Sequence, residues 1–574
     1  MTTTSDLPLV NTEHGLLVAF GEFLQQHGLI QRLMTVPINQ KTVSFVPQTK
    51  LIEFLAGIMS GMAYLSDLND GPRPLVNDPI VARAWGQAAF AHYSSVSRTL
   101  DACDDETVSQ VQAAIDAFSQ PFIRSAVHEL RQAGVPLVYD LDLMGQAVSA
   151  TSTTYPAAAF GWMNDRVQLG YQVARVCITS FKKERFWLSG FHHPGDTVSS
   201  SCVQELIQAA EAQTGVRPRR RTELLRQRLA AHAQQLQRPQ RLLNQQRAQQ
   251  LQRQQTHTRL REQIFQAEQT LKMPISAAQS ARLTNRSQGW QARLPRLGQQ
   301  QAVGEQVIAR HQAQLHQLTQ ELLRLQTWLL RLEADNRTNL DPPCCAVRVD
   351  SGFSSGTNLT WLIEMGYQVN TKVLSGLTTA ALRKTVSADA LWTRVGDNAD
   401  MLRCQQSSVH DCPYALRLAL ERFKLGDTYQ YATLLQYRDD GQTLTLSDWF
   451  VSYNGRQLIE AGNKELKSGV FQVQHLMSRS SAGIRLQVMF AGLAANVVHW
   501  SMPWLRTCAP RPTAKLTRTL NSPKHMVRVA ANSAALVQQT SAGTALQFAP
   551  TSALPGALLI LKGVPAFQLP LGFG

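Results

Sequence analysis

A run of charged and polar residues near the end of the chain most narrowly limits the fold and chemistry that this sequence can have. Tyr453, Arg456, Glu460 and Lys467 follow one another with two, three and six residues between them. On a helix, which turns by about 100° per residue, these side chains fall within an arc of roughly 60°. Such a stripe suits a metal-bound phosphodiester, because Glu can hold a divalent cation while Arg and Lys neutralise phosphate oxygens. An exposed helix with solvated charges is the alternative interpretation.

An apolar segment upstream contains two acids. Residues 135–145 (VPLVYDLDLMG) predict a buried strand, and the period of two places Asp140 and Asp142 on the same face. Acids in an apolar strand are costly unless they are paired or bound to a metal. Both aspartates therefore need an explanation.

A third acid follows another short β-rich segment. Residues 345–350 (CAVRVD) precede a Gly/Ser turn and a predicted helix at 358–365, so Asp350 is expected at the carboxyl end of a strand. Sites in open α/β sheets gather at that edge. A helix-cap or turn aspartate is the alternative.

These features resemble bacterial insertion-sequence transposases of the DDE type, in the group that carries the Y-(2)-R-(3)-E-(6)-K signature. The phrase RVDSGF around Asp350 resembles the second-aspartate motif of that group. In the related pattern the ligand is the later aspartate of an Asp-x-Asp pair, which favours Asp142, with Asp140 as second choice. Met144 stands where the group usually has threonine, so the choice between the two stays open.

The resemblance implies an α/β fold with an RNase H-like core. Asp142, Asp350 and Glu460 would be its catalytic residues and would bind two Mg²⁺ ions, for which Mn²⁺ is expected to substitute. The implied activity is cleavage of insertion-sequence ends and transfer of the strands to target DNA, with Tyr453, Arg456 and Lys467 contacting DNA. The implied partners are double-stranded DNA, both transposon ends and target, and a second copy of the chain in a synaptic homodimer.

Two rival interpretations remain. A non-transposing RNase H-like nuclease would share the acids but would not need the Tyr-Arg-Lys stripe. A non-catalytic DNA-binding or architectural protein derived from a transposase is the alternative from another class.

The order of predicted elements agrees with this resemblance. Strands are predicted at 167–179, 183–191 and 366–374, and a helix at 197–214. The expected layout comprises a helical DNA-binding domain, three parts of an RNase H-like core, two insertions and a β-rich tail. The boundaries are 1–130 for the N-terminal domain; 131–214, 341–374 and 448–510 for the core; 215–340 for a helical hairpin; 375–447 for a β-rich insertion; and 511–574 for the tail.

Within the N-terminal domain, the segment 94–100 (SSVSRTL) predicts the start of a helix. Ser, Arg and Thr at such a position can bond phosphates and base edges, so Arg98 is a candidate DNA contact. An ordinary capped helix with an exposed arginine explains the segment equally well.

The segment 215–340 is rich in Gln, Arg, Leu and Ala, with leucines at helical spacing and breakers at Pro274, Gly289, Pro295 and Gly298. It predicts a long helical hairpin packed as an antiparallel coiled coil. Four roles compete, namely DNA clamp, dimer contact, partner docking and passive insertion, and unpaired arginines favour the first two.

The insertion at 375–447 predicts strands at 428–437 and 443–447. The resemblance implies that it shields the cleaved DNA end, where an exposed ring can stack a flipped base. Trp392 and Trp449 are the candidates, with core packing as the alternative for each.

Composition agrees with a polyanionic partner. The formal net charge is +15 and the pI is about 9.6, although a membrane surface would also attract such a chain. The apolar stretches near 54–65 and 557–561 are too short to span a bilayer, which takes about 18 residues. We therefore expect no membrane association, reduced cysteines, and a bacterial cytoplasmic protein associated with the nucleoid.

Overall fold

The computed structural model describes residues 9–41, 44–405, 411–439, 441 and 443–564. It is a mixed α/β structure, which confirms the coarse part of the predicted fold class. The chain divides into two compact units. The first comprises Met1–Pro218 and Asp341–Gly574, and the second comprises Arg219–Leu340.

Helices dominate the chain before the first long strand. The elements are β1 (Val10–Thr12), α1 (Gly15–Gln26), α2 (Leu29–Met34), α3 (Pro47–Ser60), α4 (Asp67–Asp70), α5 (Pro79–Ala84), α6 (Tyr93–Ala102) and α7 (Asp105–Gln132). Side-chain caps begin several of them. Asp104, for example, accepts a 2.8 Å hydrogen bond from the backbone N–H of Thr107 at the start of α7. Helix α3 is buried along most of its length, including Glu53, so it forms the core of this region.

A ten-stranded sheet lies at the centre of the first unit. Its described strands are β2 (Leu137–Ala147), β3 (Ala159–Met163), β4 (Arg166–Thr179), β5 (Arg185–Pro194), β6 (Cys345–Arg348), β7 (Gln368–Lys372), β8 (Thr393–Arg394), β9 (Ala399–Arg403), β10 (Arg417–Leu425) and β11 (Thr428–Tyr437). The strands predicted at 167–179, 183–191, 366–374 and 428–437 are confirmed, with ends shifted by a few residues.

The sheet topology decides which acids meet. β4 is antiparallel to both β2 and β5, whereas β2 is parallel to β6 and β6 is parallel to β7. In the β2–β6 register, Asp140 lies opposite Arg348. Asp142 lies two residues further along β2, Asp350 lies two residues beyond the end of β6, and both carboxylates lie near Nη2 of Arg456. Beyond β7, strands β11, β10, β9 and β8 follow as an antiparallel extension.

Helices flank this sheet. They are α8 (Val203–Thr214), α11 (Gly356–Glu364), α12 (Gly376–Lys384), α13 (Leu446–Asn454), α14 (Gln457–Lys464) and α15 (Ser481–Thr507). Helix α8 contacts β2, β4 and β5, and α14 contacts β2 and β5. A π-helical turn, Glu465–Gly469, directly follows α14.

Helix α15 is long and apolar enough to cross a membrane, with a mean hydropathy of 1.3 over its best window. The sequence interpretation overlooked it. However, 83% of that window is buried in the protein, where α15 packs against β5, α3 and α7. Such burial is typical of a core helix.

The end of the chain forms a second, smaller sheet. Helices α16 (Ala514–Leu520) and α17 (Pro523–His525) precede the strands β12 (Ala535–Thr540), β13 (Gly543–Phe548) and β14 (Leu558–Leu561). Strand β1 pairs antiparallel with β12, so the N-terminal strand and the tail share one sheet.

The second unit is a helical hairpin of α9 (Thr222–Leu271) and α10 (Ala277–Thr338). The helices pack against each other in antiparallel order: Arg226 bonds Glu333, and Gln250 bonds the carbonyl of Gln301. Pro274 lies in the connection. Pro295 lies inside α10, as do Gly289 and Gly298, so the expected breaks at these three positions are wrong.

Two further expectations fail near the signature run. Residues 443–447 are not a strand, because α13 begins at Leu446 and the hydroxyl of Thr445 caps it. Tyr453 and Lys467 are not on one continuous helix either. Gly455 and Arg456 separate α13 from α14, and Lys467 lies in the π-helical turn.

Candidate active site

Asp140 and Asp142 project from β2 but have different partners. The fully buried carboxylate of Asp140 accepts two 2.6 Å hydrogen bonds from the guanidinium of Arg348. Asp142 accepts 2.7 Å hydrogen bonds from Nη2 of Arg456 and from Nδ2 of Asn463. Asp140 is therefore held in a buried ion pair, whereas Asp142 faces α14.

Asp350 directly follows the end of β6. Its Oδ1 atom accepts a 2.8 Å hydrogen bond from the backbone N–H of Gly352, so it caps the short 3-10 turn Ser351–Phe353. The interpretation of Asp350 as a turn residue is thus confirmed, but the hydrogen bond to Gly352 uses only one oxygen of the carboxylate. The Oδ2 atom lies 3.6 Å from Nη2 of Arg456, and the side chain is 37% exposed.

Arg456 joins the three acids. Its Nη2 atom faces Asp142 and Asp350, and its Nη1 atom lies 2.5 Å from Oε1 of Glu460, one helical turn further along. The Arg456 side chain is only 9% exposed, whereas that of Glu460 is 50% exposed. A nearly buried cation is therefore surrounded by three carboxylates, the last of which reaches solvent.

No protein-family model matches this chain, and no curated protein matches it. The chemistry must accordingly be argued from the geometry. Three carboxylates from β2, the end of β6 and α14 converge on one guanidinium, which offsets only part of their negative charge.

Electrostatics of the site favour additional positive charge. Burial raises the pKa of Asp142 to about 6, Arg456 opposes the rise, and the negative charges of Asp350 and Glu460 add to it. Carboxylate oxygens are the ligands that Mg²⁺ prefers. The residue types of Asp142, Asp350 and Glu460 are therefore those that a divalent, oxygen-binding cation takes, although among the described residues their ligand atoms do not all lie within 4.8 Å of one another.

Lys467 contacts a hairpin turn rather than the acids. Its Nζ atom donates a 2.6 Å hydrogen bond to Oδ1 of Asn164. Asn164 and Asp165 have φ values of 50° and 63° and connect β3 to β4 in a two-residue turn of the type that requires positive φ. Burial lowers the pKa of Lys467.

Tyr453 belongs partly to the core. It packs in a buried cluster with Met401 and Trp449, and Nζ of Lys372 lies 5.4 Å from its ring centre. Burial raises its pKa to about 12. Its contact with a phosphate stays a prediction.

The remaining candidates lie elsewhere. Arg98 is exposed on α6 and donates to the hydroxyl of Ser95, and no contact among the described residues joins it to the three acids. Trp449 is fully buried and donates to Asn370, which confirms core packing for this ring. Trp392 is partly buried, with the Arg422 guanidinium 4.3 Å from its ring centre.

Sequence reasoning missed two residues that hold the site. Asn463 follows Glu460 by three positions, so helical spacing alone could have placed it on the same face. Arg185 offered no comparable signal. Its Nη1 atom donates a 2.7 Å hydrogen bond to the carbonyl of Leu458, and its Nη2 atom lies 2.5 Å from Glu465. Arg185 thereby fixes the junction between α14 and the π-helical turn.

Another group of metal-type ligands contains none of the three acids. Ligand atoms of His193, Cys202 and Glu205 lie within 4.8 Å of one another. Nε2 of His193 is 2.6 Å from Oε1 of Glu205, and hydrogen bonds to Cys202 and Glu205 raise the pKa of His193 to about 10. An ion pair between imidazolium and carboxylate accounts for this cluster without a metal.

Proposed function

We propose that the chain is a DNA transposase of the DDE type, which cleaves insertion-sequence ends and joins the strands to target DNA. The observation that carries this proposal is the convergence of Asp142, Asp350 and Glu460 on Arg456. These four residues include the signature Arg and Glu and the two upstream aspartates that the resemblance requires.

The strand order supports an RNase H-like core. In space the central strands run β5, β4, β2, β6 and β7, with the first three antiparallel and the last three parallel. In an RNase H-like sheet, a three-stranded antiparallel meander likewise continues into two parallel strands. The first acid then belongs on the central strand and the second at the end of its parallel neighbour, which are the positions of Asp142 and Asp350.

Asp142 is a better candidate than Asp140 for the first metal ligand. Arg348 satisfies both oxygens of Asp140 deep in the sheet. Asp142 shares Arg456 with Asp350 and Glu460. Together with Glu460, the two aspartates would hold the two Mg²⁺ ions, or Mn²⁺ in their place.

When bound, such ions activate a water or a DNA 3′-hydroxyl and stabilise the leaving oxygen in an in-line displacement at phosphorus. Arg456 would keep the acids together by offsetting part of their repulsion. Lys467, anchored on the β3–β4 turn, would present its charge to a phosphate of the bound strand. The Tyr453 hydroxyl would bond a phosphate nearby.

The proposal includes further expectations. Synapsis of two ends requires a homodimer on DNA, and the natural setting is the nucleoid of a bacterial cytoplasm. Arg98 remains a candidate contact to the transposon end. The alternative function is a non-catalytic DNA-binding or architectural protein, in which Arg456 and the acids are merely structural.

The test uses the full chain, Mg²⁺ and labelled duplexes that carry the DNA flanking its coding sequence. Wild type is compared with Glu460→Gln, which keeps the size and the Arg456 contact. Glu106→Gln is the control, because Glu106 is an exposed glutamate of α7 that contacts Gln110 and has no contact with Arg456 or Arg185 among the described residues.

We expect metal-dependent cleavage at the element ends by wild type and Glu106→Gln, and its loss in Glu460→Gln. Binding of the ends without cleavage in either Mg²⁺ or Mn²⁺ would replace the transposase proposal with the architectural one.

A further inference from the structure

The positive charge of this protein is concentrated in one unit. Residues 219–340 contain 20 Lys and Arg but only 7 Asp and Glu, a formal net charge of +13. The whole chain carries 56 basic and 41 acidic residues, so the other unit contains 36 against 34 and is nearly neutral at +2. The basic pI is therefore a property of the hairpin.

Within the hairpin, the acids lie mainly at the end where the two helices begin and finish. There Arg226 bonds Glu333 and Arg220 bonds Asp335, so part of the charge is neutralised internally. Between residues 238 and 310 there are 12 basic and 3 acidic residues. Among the described residues, none of these 12 basic side chains forms an ion pair with an acid. This segment, 238–310, is termed the distal arm.

The arm's basic side chains face solvent. All of them are exposed except Arg253, which donates to the carbonyl of Gln300 across the hairpin. The three carboxylates of the arm offset only part of this positive charge, and two of them, Glu268 and Glu305, accept hydrogen bonds from Gln291 and Gln250. Close like charges on a rigid helix repel one another. An extended polyanion that offsets these charges therefore lowers the free energy of the arm.

Length and composition favour a duplex over a single strand. Helix α9 has 50 residues, which corresponds to about 75 Å, and duplex DNA presents a negative charge every ~1.7 Å. Single-strand binding normally relies on aromatic rings that stack bases. Residues 219–340 contain only Phe265, Trp290 and Trp328 as aromatics, and no tyrosine.

We propose that the distal arm is a sequence-independent binding site for duplex DNA, which it holds through phosphate contacts along α9 and α10. The choice of DNA over another duplex polyanion rests on the proposed transposase function. The proposal that the arm contacts phosphates rests on its charge and does not depend on that function. The arm would add affinity for DNA flanking the cleaved bond, while the three-acid site performs the chemistry.

The experiment compares two full-length variants that each lose five positive charges. The arm variant replaces Arg238, Arg241, Arg247, Arg259 and Arg261 with Gln, which has similar helix propensity. The control variant replaces five exposed residues of the near-neutral unit with Gln, namely Arg32, Arg83, Lys384, Arg511 and Lys515. Far-ultraviolet circular dichroism and thermal unfolding verify that both are folded.

Binding is measured by fluorescence anisotropy with a random-sequence duplex of about 30 base pairs, longer than α9 at 3.4 Å per pair. EDTA is present, so cleavage plays no part. For wild type we expect the logarithm of the affinity to fall steeply with the logarithm of salt concentration. Each phosphate contact contributes about 0.9 to that slope, so the slope of the arm variant should be shallower by up to about 4.5. The arm variant should also bind at least ~30-fold more weakly than wild type at 100 mM salt.

The control variant should keep the wild-type slope and bind within about threefold of wild type. Equal losses in both variants would overturn the proposal, because net charge rather than the arm would then govern binding. Unchanged DNA binding by the arm variant, with a fall in its molar mass by light scattering, would assign the arm to self-association instead. Tighter wild-type binding to duplex RNA than to duplex DNA would overturn the choice of DNA.

This outcome is independent of the proposed function. If the arm variant binds DNA as wild type does, metal-dependent cleavage can still be observed. If wild type does not cleave DNA, the difference in DNA binding between the arm variant and the control variant can still be observed.

Discussion

Arg456 and Asp142 are 314 positions apart in the chain, yet Nη2 of Arg456 donates a 2.7 Å hydrogen bond to Oδ1 of Asp142. This contact ties the central strand β2 to α14 and brings Glu460 towards the aspartates. The same guanidinium contacts Glu460, so the geometry of the three acids depends on one side chain. Three predictions follow from this arrangement and from the packing around it, and a fourth concerns Glu53 in helix α3.

The two aspartates of β2 should respond oppositely to the same substitution. Asp142→Asn should abolish cleavage, with a loss of at least ~100-fold expected for a metal ligand, and should cost less stability than Asp140→Asn because Arg456 keeps Asp350 and Glu460 as partners. Asp140→Asn removes a charge from the buried pair with Arg348 and should cost about 3–5 kcal/mol of unfolding free energy. Urea unfolding and the end-cleavage assay measure the two effects. Equal activity of Asp142→Asn and wild type would exclude Asp142 as a ligand.

Magnesium affinity should depend on pH through Asp142. Because its pKa is raised to about 6, mainly by burial, the group is largely protonated below that pH and must lose its proton to bind the ion. The affinity should therefore rise with pH up to about 6 and level off above it. Isothermal titration calorimetry with Mg²⁺ between about pH 5 and 8 measures this affinity. Glu460→Ala is the comparison variant, because it lacks one proposed ligand but keeps Asp142. A constant affinity over that range would contradict the prediction.

Gly462 should not tolerate a methyl group. A Cβ atom there would lie 2.2 Å from Cζ of Arg185, whose guanidinium holds Leu458 and Glu465. Gly462→Ala should therefore cost about 1–3 kcal/mol of unfolding free energy, and it should slow cleavage because α14 shifts. Gly289→Ala is the matched control. This helical glycine has nothing within 4 Å of an added Cβ, so the substitution should stabilise α10 by about 0.5–1 kcal/mol.

Glu53 should make stability fall as pH rises. Burial raises its pKa to about 8, while the N–H of Ala91, 2.7 Å from Oε2, and the charge of Lys50 lower it. In the unfolded chain its pKa is about 4.3. Between these values the folded state keeps a proton that the unfolded state releases, so unfolding free energy should fall by up to ~1.4 kcal/mol per pH unit.

Urea unfolding of wild type and Glu53→Gln across this range measures the effect. The Gln variant should show a flatter dependence and exceed wild-type stability near pH 8. Glu106→Gln, at an exposed position of α7, serves as control and should follow wild type. Parallel curves for wild type and Glu53→Gln would contradict a buried, protonated Glu53.

Local patterns were sufficient for part of this description. The apolar run at 135–145 predicts strand β2, and the Asp-Ser-Gly sequence at 350–352 predicts a turn after β6. These signals are local because side-chain direction in strands and turns depends on neighbouring residues. The helical hairpin was predictable for the same reason, apart from the breaks expected at Gly289, Pro295 and Gly298, which lie inside α10.

Only the tertiary structure separated Asp140 from Asp142. Both lie on one face of one strand, and they differ because the register of β6 places Arg348 opposite Asp140. The contact between Arg185 and Glu465, which are 280 positions apart, likewise became visible only in the tertiary structure. So did the break between the helix of Tyr453 and the π-helical turn of Lys467. The sequence by itself determined which residue types are available and which local elements they form. Tertiary structure decided which charges are paired, because ion pairing and burial depend on neighbours that strand pairing brings together from distant segments.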